Sequence, residues 1–269
     1  MNQLYRLLRW ILLALVIINM IPMLNSGSIH RLCPYGGLET LYRINFKSVS
    51  QLLLVITIVI TILFRRSFCG LICPLGAVQE FMAKFQKNKW VMPKPLDRYF
   101  RLLKYLVLLV TLVGSWKTLS YWWIGFDPYF AYAMIVKNIS GMSPQYFFGF
   151  LVLLISFLGS FLFDRFLCKY ICPLGAFYAI VGYFSPTRVV RNQKTCIHCN
   201  LCTQICPVNI DVAKEIEVIS PECISCNECI NVCPKEGALE LRFWRFGLSV
   251  VVVLVLTYLL FFGGVFLIH

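Results

Sequence analysis

One cysteine pattern, C-x2-C-x2-C-x3-C-P, occurs twice in this chain and constrains the fold, because its thiolates must converge on shared centres. In such a pattern three closely spaced cysteines hold three corners of an iron–sulfur cube, while the fourth, followed by proline, ligates the other cube. A zinc site would usually need only two C-x2-C pairs, and a disulfide framework would not repeat so regularly. The predicted ligands of the two [4Fe–4S] clusters are therefore crossed: Cys196, Cys199, Cys202 and Cys233 for cluster 1, and Cys223, Cys226, Cys229 and Cys206 for cluster 2.

The composition indicates a membrane protein. Of the 269 residues, 59% are hydrophobic, whereas a soluble domain averages about 45–50%. Crossing a hydrocarbon core of about 30 Å takes about 20 apolar helical residues. We interpret the first apolar stretch as a retained span and not as a cleaved signal peptide. The predicted spans are Leu7–Leu24, Val49–Phe64, Leu106–Phe126, Tyr146–Phe163 and Phe246–Ile268.

Positive charges predict the orientation of these spans. Nine Lys and Arg residues lie between Arg65 and Lys104, against two acidic residues, whereas the loops after spans one and three hold few basic residues. Short basic loops stay in the cytoplasm. The sequence therefore predicts a multi-pass protein of the cytoplasmic (inner) membrane, with the N-terminus and ferredoxin domain in the cytoplasm and the C-terminus outside. Charges beside apolar spans also account for the net charge of +13, so no nucleic-acid partner is predicted.

An internal repeat follows spans two and four. Both copies read C-x3-C-P-L-G-A, with an arginine three residues before the first cysteine. We predict that each C-x3-C fits one helical turn, which places both sulfurs on the same side. Their four cysteines could bind a further iron–sulfur cluster, or could be reduced thiols that pack a turn. These residues are Cys69, Cys73, Cys168 and Cys172.

Two outer-loop residues are candidates for a quinone or partner site. Cys33 and Asp127 stand before Pro-Tyr at matching places of the two repeats. Cys33 could line a quinol pocket or ligate a group supplied by a partner, and Asp127 could accept a proton from a quinol. The alternatives are a loop cysteine packed under a glycine turn, and a helix N-cap that precedes Pro128.

The predicted fold class is an α-helical membrane protein with five transmembrane helices, an internal two-helix repeat and a small cytoplasmic 2[4Fe–4S] ferredoxin domain of the bacterial α+β type. Residues 1–95 form the first membrane repeat and residues 96–187 the second, each ending in an interfacial helix. Residues 188–241 form the ferredoxin domain, and residues 242–269 the last transmembrane helix.

These motifs together resemble the NapH/NosR/MauN type of membrane polyferredoxin, a family of 4Fe–4S quinol dehydrogenase membrane components. The resemblance is carried by both C-x3-C-P motifs, the Asp127-Pro128 loop and the paired ferredoxin motifs, and it covers nearly the whole chain. This chain departs from the family by adding a span after the ferredoxin domain. The resemblance implies electron transfer between the quinone pool and a partner oxidoreductase, with other membrane or exported redox subunits as partners.

Three functions remain open at this point, and so does the question of whether the chain is itself an enzyme. Electrons could pass from quinol to a partner oxidoreductase. In the reverse direction, a soluble ferredoxin or flavoprotein could supply electrons to quinone or to an exported target. A metal-reducing assembly factor of the copper-oxidase accessory type is a third function, although Met and His residues, which copper would favour, are scarce along the spans.

Overall fold

The computed structural model describes residues 5, 7–15, 34–39, 49–83, 92–118, 147–244 and 246–268. Most of these residues are helical, and a small antiparallel sheet lies in the C-terminal third of the chain. The mostly helical prediction is therefore confirmed. Residues 7–15 are helical, and the helices that follow up to the sheet are α1 (Pro34–Glu39), α2 (Val49–Phe64), α3 (Pro74–Ala83), α4 (Lys94–Thr118), α5 (Phe147–Ser160) and α6 (Pro173–Tyr183).

Among the described helices, α4 is the one that is both long and apolar enough to cross a membrane. Shorter apolar helices cover residues 50–64, 147–160, 173–183 and 250–263. Three of these four coincide with predicted spans two, four and five. The outer half of span one and the end of span three lie outside the described residues.

Each C-x3-C segment forms one turn of π-helix, wider than the helical turn that the sequence predicted. The turns are Phe68–Ile72 and Leu167–Ile171. Each closes with a hydrogen bond that spans five residues, from Cys73 N to Phe68 O at 2.9 Å and from Cys172 N to Leu167 O at 2.8 Å. A proline then begins α3 and α6, where its missing N–H costs nothing. The wider turn places the second cysteine at the start of a new helix.

The ferredoxin domain is built around a three-stranded antiparallel sheet in the order β1 (Thr187–Arg191), β2 (Leu239–Phe243) and β3 (Phe246–Leu248). Val189 pairs with Leu241 in the register of β1 and β2. Between β1 and β2 lie the short helices α7 (Leu201–Gln204) and α8 (Glu228–Val232). The last helix, α9 (Val250–Ile268), begins four residues after the predicted start of span five, because Phe246–Leu248 pair with β2.

The two cysteine motifs have the same backbone shape. In each copy the residues that flank the second cysteine are in the left-handed conformation. These residues are His198 and Asn200 in the first copy and Ser225 and Asn227 in the second, with φ between 51° and 62°. Asparagine tolerates this conformation better than most residues. The repeated sequence therefore folds with the same local backbone conformation in both copies.

Arg65 and Thr187 form hydrogen bonds between the end of α2 and the ferredoxin domain. The Arg65 guanidinium donates hydrogen bonds to the carbonyls of Val218, Ile219 and Ser220, each at 2.5 Å. The Thr187 hydroxyl, on β1, donates to Leu63 O at the end of α2 at 2.6 Å. The loop that precedes Cys223 is thereby held against the end of α2.

Candidate iron–sulfur centres

The predicted ligands of cluster 1 line one cavity. Its wall contains Cys196, Cys199, Cys202 and Cys233, so the fourth cysteine of the second motif does approach the first three of the first motif. Cys199 is exposed to solvent while Cys202 is buried. The backbone N–H of His198 donates to the Cys196 sulfur and lowers the pKa of that thiol. This arrangement is the one that the crossed ligand set requires.

The predicted ligands of cluster 2 adjoin one another deeper in the domain. Burial raises the pKa of the Cys229 thiol well above its usual value, and the neighbouring Cys226, Cys223 and Cys206 raise it further, with a smaller effect from Cys202 of the first motif. Cys206 is likewise affected by Cys223. Like charges shift a pKa in this way only when the groups are close neighbours. Cys206, from the first motif, therefore lies with the three cysteines of the second.

Four cysteines come together between the two sequence repeats, and we call them the inner quartet: Cys69, Cys73, Cys168 and Cys172. Burial raises the pKa of the Cys168 thiol well above its usual value, and the other three thiolates add to the effect. Burial also raises the pKa of Cys172 to about 12. Cys73 and Cys172 pack against the same apolar side chains, those of Leu75, Leu153 and Leu167.

Two arginines cross between the repeats at the inner quartet. Arg165, from the second repeat, donates to Cys69 O at 2.6 Å, and a Cβ added at Gly76 would lie 3.0 Å from its Nη1 atom. Arg66, from the first repeat, reaches the second repeat in the same way, because a Cβ added at Gly175 would lie 3.1 Å from the Nη2 atom of Arg66. The glycine of each P-L-G-A motif thus leaves room for the arginine of the other repeat.

These guanidinium groups are buried, and some of their donors lack an acceptor among the described residues. Both side chains are 1% exposed. The donors are Nε and Nη2 of Arg66 and Nε of Arg165. Arg66 opposes the effect of burial on the pKa of Cys69, which is raised overall. Since an unsatisfied buried donor costs about 1–3 kcal/mol, a ligand that accepts hydrogen bonds at this place would relieve the cost.

Two carboxylates balance the arginines: Glu80 on α3, which is partly buried, and Glu222 in the ferredoxin domain, which is buried. Glu80 contacts Arg9 and Arg165, each at 2.6 Å. Glu222 forms an ion pair with Lys104 and lies 3.6 Å from Arg66. Burial alone would raise the pKa of Glu222, but Arg66 and Lys104 more than offset it, so the pKa is lowered. The repeated motifs identify the two arginines in the sequence, but no local pattern indicates these partners, which lie far away along the chain.

None of the twelve cysteines that the structure describes forms a disulfide. Within the described ranges, no three His, Cys, Asp or Glu side chains are arranged to hold a single metal ion. Cys33 and Asp127, the candidates for a quinone or partner site, lie outside the described residues. Their predicted role therefore stays a prediction.

Two family models match the chain. A model described as a 4Fe–4S binding domain matches twice, at residues 49–93 and 146–192. A model described as a 4Fe–4S dicluster domain matches residues 188–234. The first two matches each contain one C-x3-C-P motif, and the third contains both ferredoxin motifs up to Pro234. No solved structure matches the chain.

Curated relatives match over half to two thirds of the chain. The putative electron transport protein YccM of Escherichia coli is 32% identical over 65% of this chain and 50% of its own length. An uncharacterised protein of Methanocaldococcus jannaschii is 31% identical over 69% of this chain and 77% of its own length. The methylamine utilization ferredoxin-type protein MauN of Paracoccus denitrificans is 32% identical over 53% of this chain and 48% of its own length. The chain thus spans about half the length of YccM and of MauN.

Proposed function

The chain belongs to the NapH/MauN type of ferredoxin-like electron-transfer proteins, and from this premise we propose that it is a membrane-bound iron–sulfur subunit that passes electrons between the quinone pool and a partner oxidoreductase. One observation carries the proposal. The fourth cysteine of each ferredoxin motif lies with the first three of the other motif, and the same domain is fastened to apolar helices. Other membrane or exported redox subunits are the proposed partners.

The residues present fit [4Fe–4S] clusters in both ferredoxin sites. Each site offers four thiols without a disulfide, which is the usual ligand set of such a cluster. When bound, a cluster of this kind accepts and releases one electron at a time. Cys196, Cys199, Cys202 and Cys233 would hold cluster 1, and Cys223, Cys226, Cys229 and Cys206 would hold cluster 2.

We extend the proposal to a third cluster, bound by the inner quartet of Cys69, Cys73, Cys168 and Cys172. The buried donors of Arg66 and Arg165 support it, because they lack acceptors among the described residues and cluster sulfurs accept hydrogen bonds. The match of a 4Fe–4S binding domain model to both repeats points in the same direction.

We propose that the five apolar segments cross the cytoplasmic membrane, with the ferredoxin domain in the cytoplasm. The outward face of α4 supports this proposal, because large apolar side chains are exposed along it and lipid would cover them. The basic segment between spans two and three supports the orientation. The exposed side chains are those of Leu102, Leu106, Leu109, Val113 and Trp116.

The quinone site is proposed at the outer loops, where Cys33 and Asp127 stand in matching places of the repeats. Oxidation of a quinol releases two electrons and two protons; Asp127 would accept one of the protons, and water would accept the other. The two electrons would then leave singly toward the cytoplasmic face. The inner quartet lies between the predicted spans and the ferredoxin domain, which makes it the natural relay.

The reverse direction has one observation in its favour. Cys199, a predicted ligand of cluster 1, is exposed, and the nearby Ile197 side chain is 60% exposed. A soluble ferredoxin or flavoprotein could therefore approach this cluster from the cytoplasm and supply electrons to quinone. Electron flow in either direction would use the same sites. The two directions are therefore distinguished by which electron donor reduces the protein.

Mixing the anaerobic protein, in lipid nanodiscs, with a menaquinol analogue should produce the EPR signals of reduced clusters. Asp127→Asn should slow this reduction and leave reduction by dithionite unchanged, because the substitution removes only the proposed proton acceptor. Reduction by low-potential ferredoxin but not by quinol would reverse the proposed direction. Reduction by neither donor would contradict the link to quinone.

A further inference from the structure

The π-helical turn of the first repeat lies directly against the loop that carries Cys226. A Cβ added at Gly70 would lie 2.2 Å from Ile224 O and 3.2 Å from Cys226 N. A real Cβ is essentially never found so close to a carbonyl oxygen, so no side chain fits at this place. Gly70 follows Cys69 of the inner quartet, and Cys226 is a predicted ligand of cluster 2. The backbones of two ligand-bearing segments are therefore in contact.

Hydrogen bonds hold both sides of this contact. Gly70 O accepts from Arg9 at 3.1 Å and from Arg165 at 3.2 Å. On the other side, the buried Tyr5 hydroxyl donates to Cys226 O at 2.9 Å. The residues that hold the contact thus come from the N-terminal helix and from the second repeat. These hydrogen bonds fix the distance between the π-helical turn and the loop that carries Cys226.

The second repeat is different at the equivalent position. Lys169 follows Cys168 as Gly70 follows Cys69. Its ammonium group forms an ion pair with Asp97 at 2.7 Å, and Asp97 also accepts a hydrogen bond from the Tyr170 hydroxyl at 2.5 Å. A lysine could not replace Gly70, where even a Cβ would overlap Ile224 O. The two repeats therefore contact the ferredoxin domain in different ways. At this position the first repeat has a glycine, which brings backbone against backbone, whereas the second has a lysine that pairs with Asp97.

We propose that the backbone contact between Gly70 and Cys226 is the electron-transfer junction between cluster 2 and the centre bound by the inner quartet, and that Gly70 is its positioning residue. One electron crosses at a time, so one centre is oxidised as the other is reduced, with no proton or bond change at the junction. The proposal rests on the proposed function, since it needs a redox centre at the quartet. It predicts that cluster 2, and not cluster 1, is the neighbour of that centre.

EPR of the fully reduced protein tests the junction, because two paramagnetic centres close to each other split or broaden each other's signals. In Gly70→Ala, the added methyl group should push the turn and the Cys226 loop apart. We expect iron and sulfide contents to be unchanged, with a weaker magnetic interaction between the quartet centre and cluster 2. Gly182→Ala is the matched control, because its Cβ would meet only ordinary contacts, at 3.4 Å from Arg65 and Thr61. An interaction of unchanged strength in Gly70→Ala would overturn the proposal.

Two variants that leave Gly70 unchanged keep the test decisive even where Gly70→Ala fails to assemble. Removing cluster 2 with Cys229→Ala should abolish the magnetic interaction of the quartet centre, whereas removing cluster 1 with Cys199→Ala should leave it. The opposite pattern would overturn the junction while leaving the proposed function intact. Iron content that shows no third centre would instead contradict the third cluster of the proposed function, so the two failures are distinguishable.

Discussion

Cys233→Ala should damage the same cluster as Cys199→Ala, although the two residues belong to different motifs. Both residues line the cavity assigned to cluster 1, whereas Cys206 lies with Cys223 and Cys229. Each substitution should cost one cluster, about four iron atoms, or convert that cluster to a form with fewer irons. Iron analysis and EPR of the reduced variants would measure the effect.

Double variants sharpen this test. Cys199→Ala with Cys233→Ala should lose at most one cluster, about four iron atoms, because both remove ligands of one centre. Cys199→Ala with Cys206→Ala should lose about twice as much, since the two substitutions act on separate centres. The reverse result, additivity for the first pair and none for the second, would show that the ligand sets are not crossed.

Glu222→Gln should destabilise the protein strongly. Its carboxylate is the shared partner of Lys104 and Arg66, whose side chains are 0% and 1% exposed. Removing one member of a buried ion pair typically costs about 3–5 kcal/mol, because a charge is left buried without compensation. The free energy of unfolding in detergent, or the temperature at which cluster absorbance is lost, would measure the effect.

Glu217→Gln is the matched control for this change. Glu217 pairs with Arg188 in a more exposed position, where the side chains are 44% and 28% exposed. Exposed pairs of this kind contribute about 0–1 kcal/mol. Lys104→Met in the Glu222→Gln background should recover part of the lost stability, because it removes one of the uncompensated cations. Equal stability of Glu222→Gln and Glu217→Gln would mean that the buried pair contributes nothing.

The approach of the fourth cysteines to the opposite motifs was predictable because cluster geometry dictates it. A cube needs four thiolates around it, and the C-x2-C-x2-C spacing supplies only three of them locally. Cys233 and Cys206 must therefore come from the other copy. The repeat likewise predicted that the inner quartet would lie together, since matching elements related by an axis bring matching residues to that axis.

The arginine and carboxylate network was not predictable from the sequence. Arg66 and Arg165 could be seen as repeated residues, but nothing local indicates that each crosses to the opposite repeat. Glu222 and Lys104 meet across more than one hundred residues, and only the packed structure shows which acid compensates which base. The π-helical turn was missed because a four-residue cysteine spacing fits an α-helical turn equally well.

The iron and acid-labile sulfide content of the anaerobically purified protein, read together with its Mössbauer spectrum, tests the central claim most directly. Three centres, two in the ferredoxin domain and one at the inner quartet, predict about twelve iron and twelve sulfide per chain. Cys73→Ser with Cys172→Ser should lower both values to about eight, consistent with loss of one cluster. A value of about eight in the wild type that stays unchanged in this variant would contradict the third centre, and a sulfide-free protein would contradict the account as a whole.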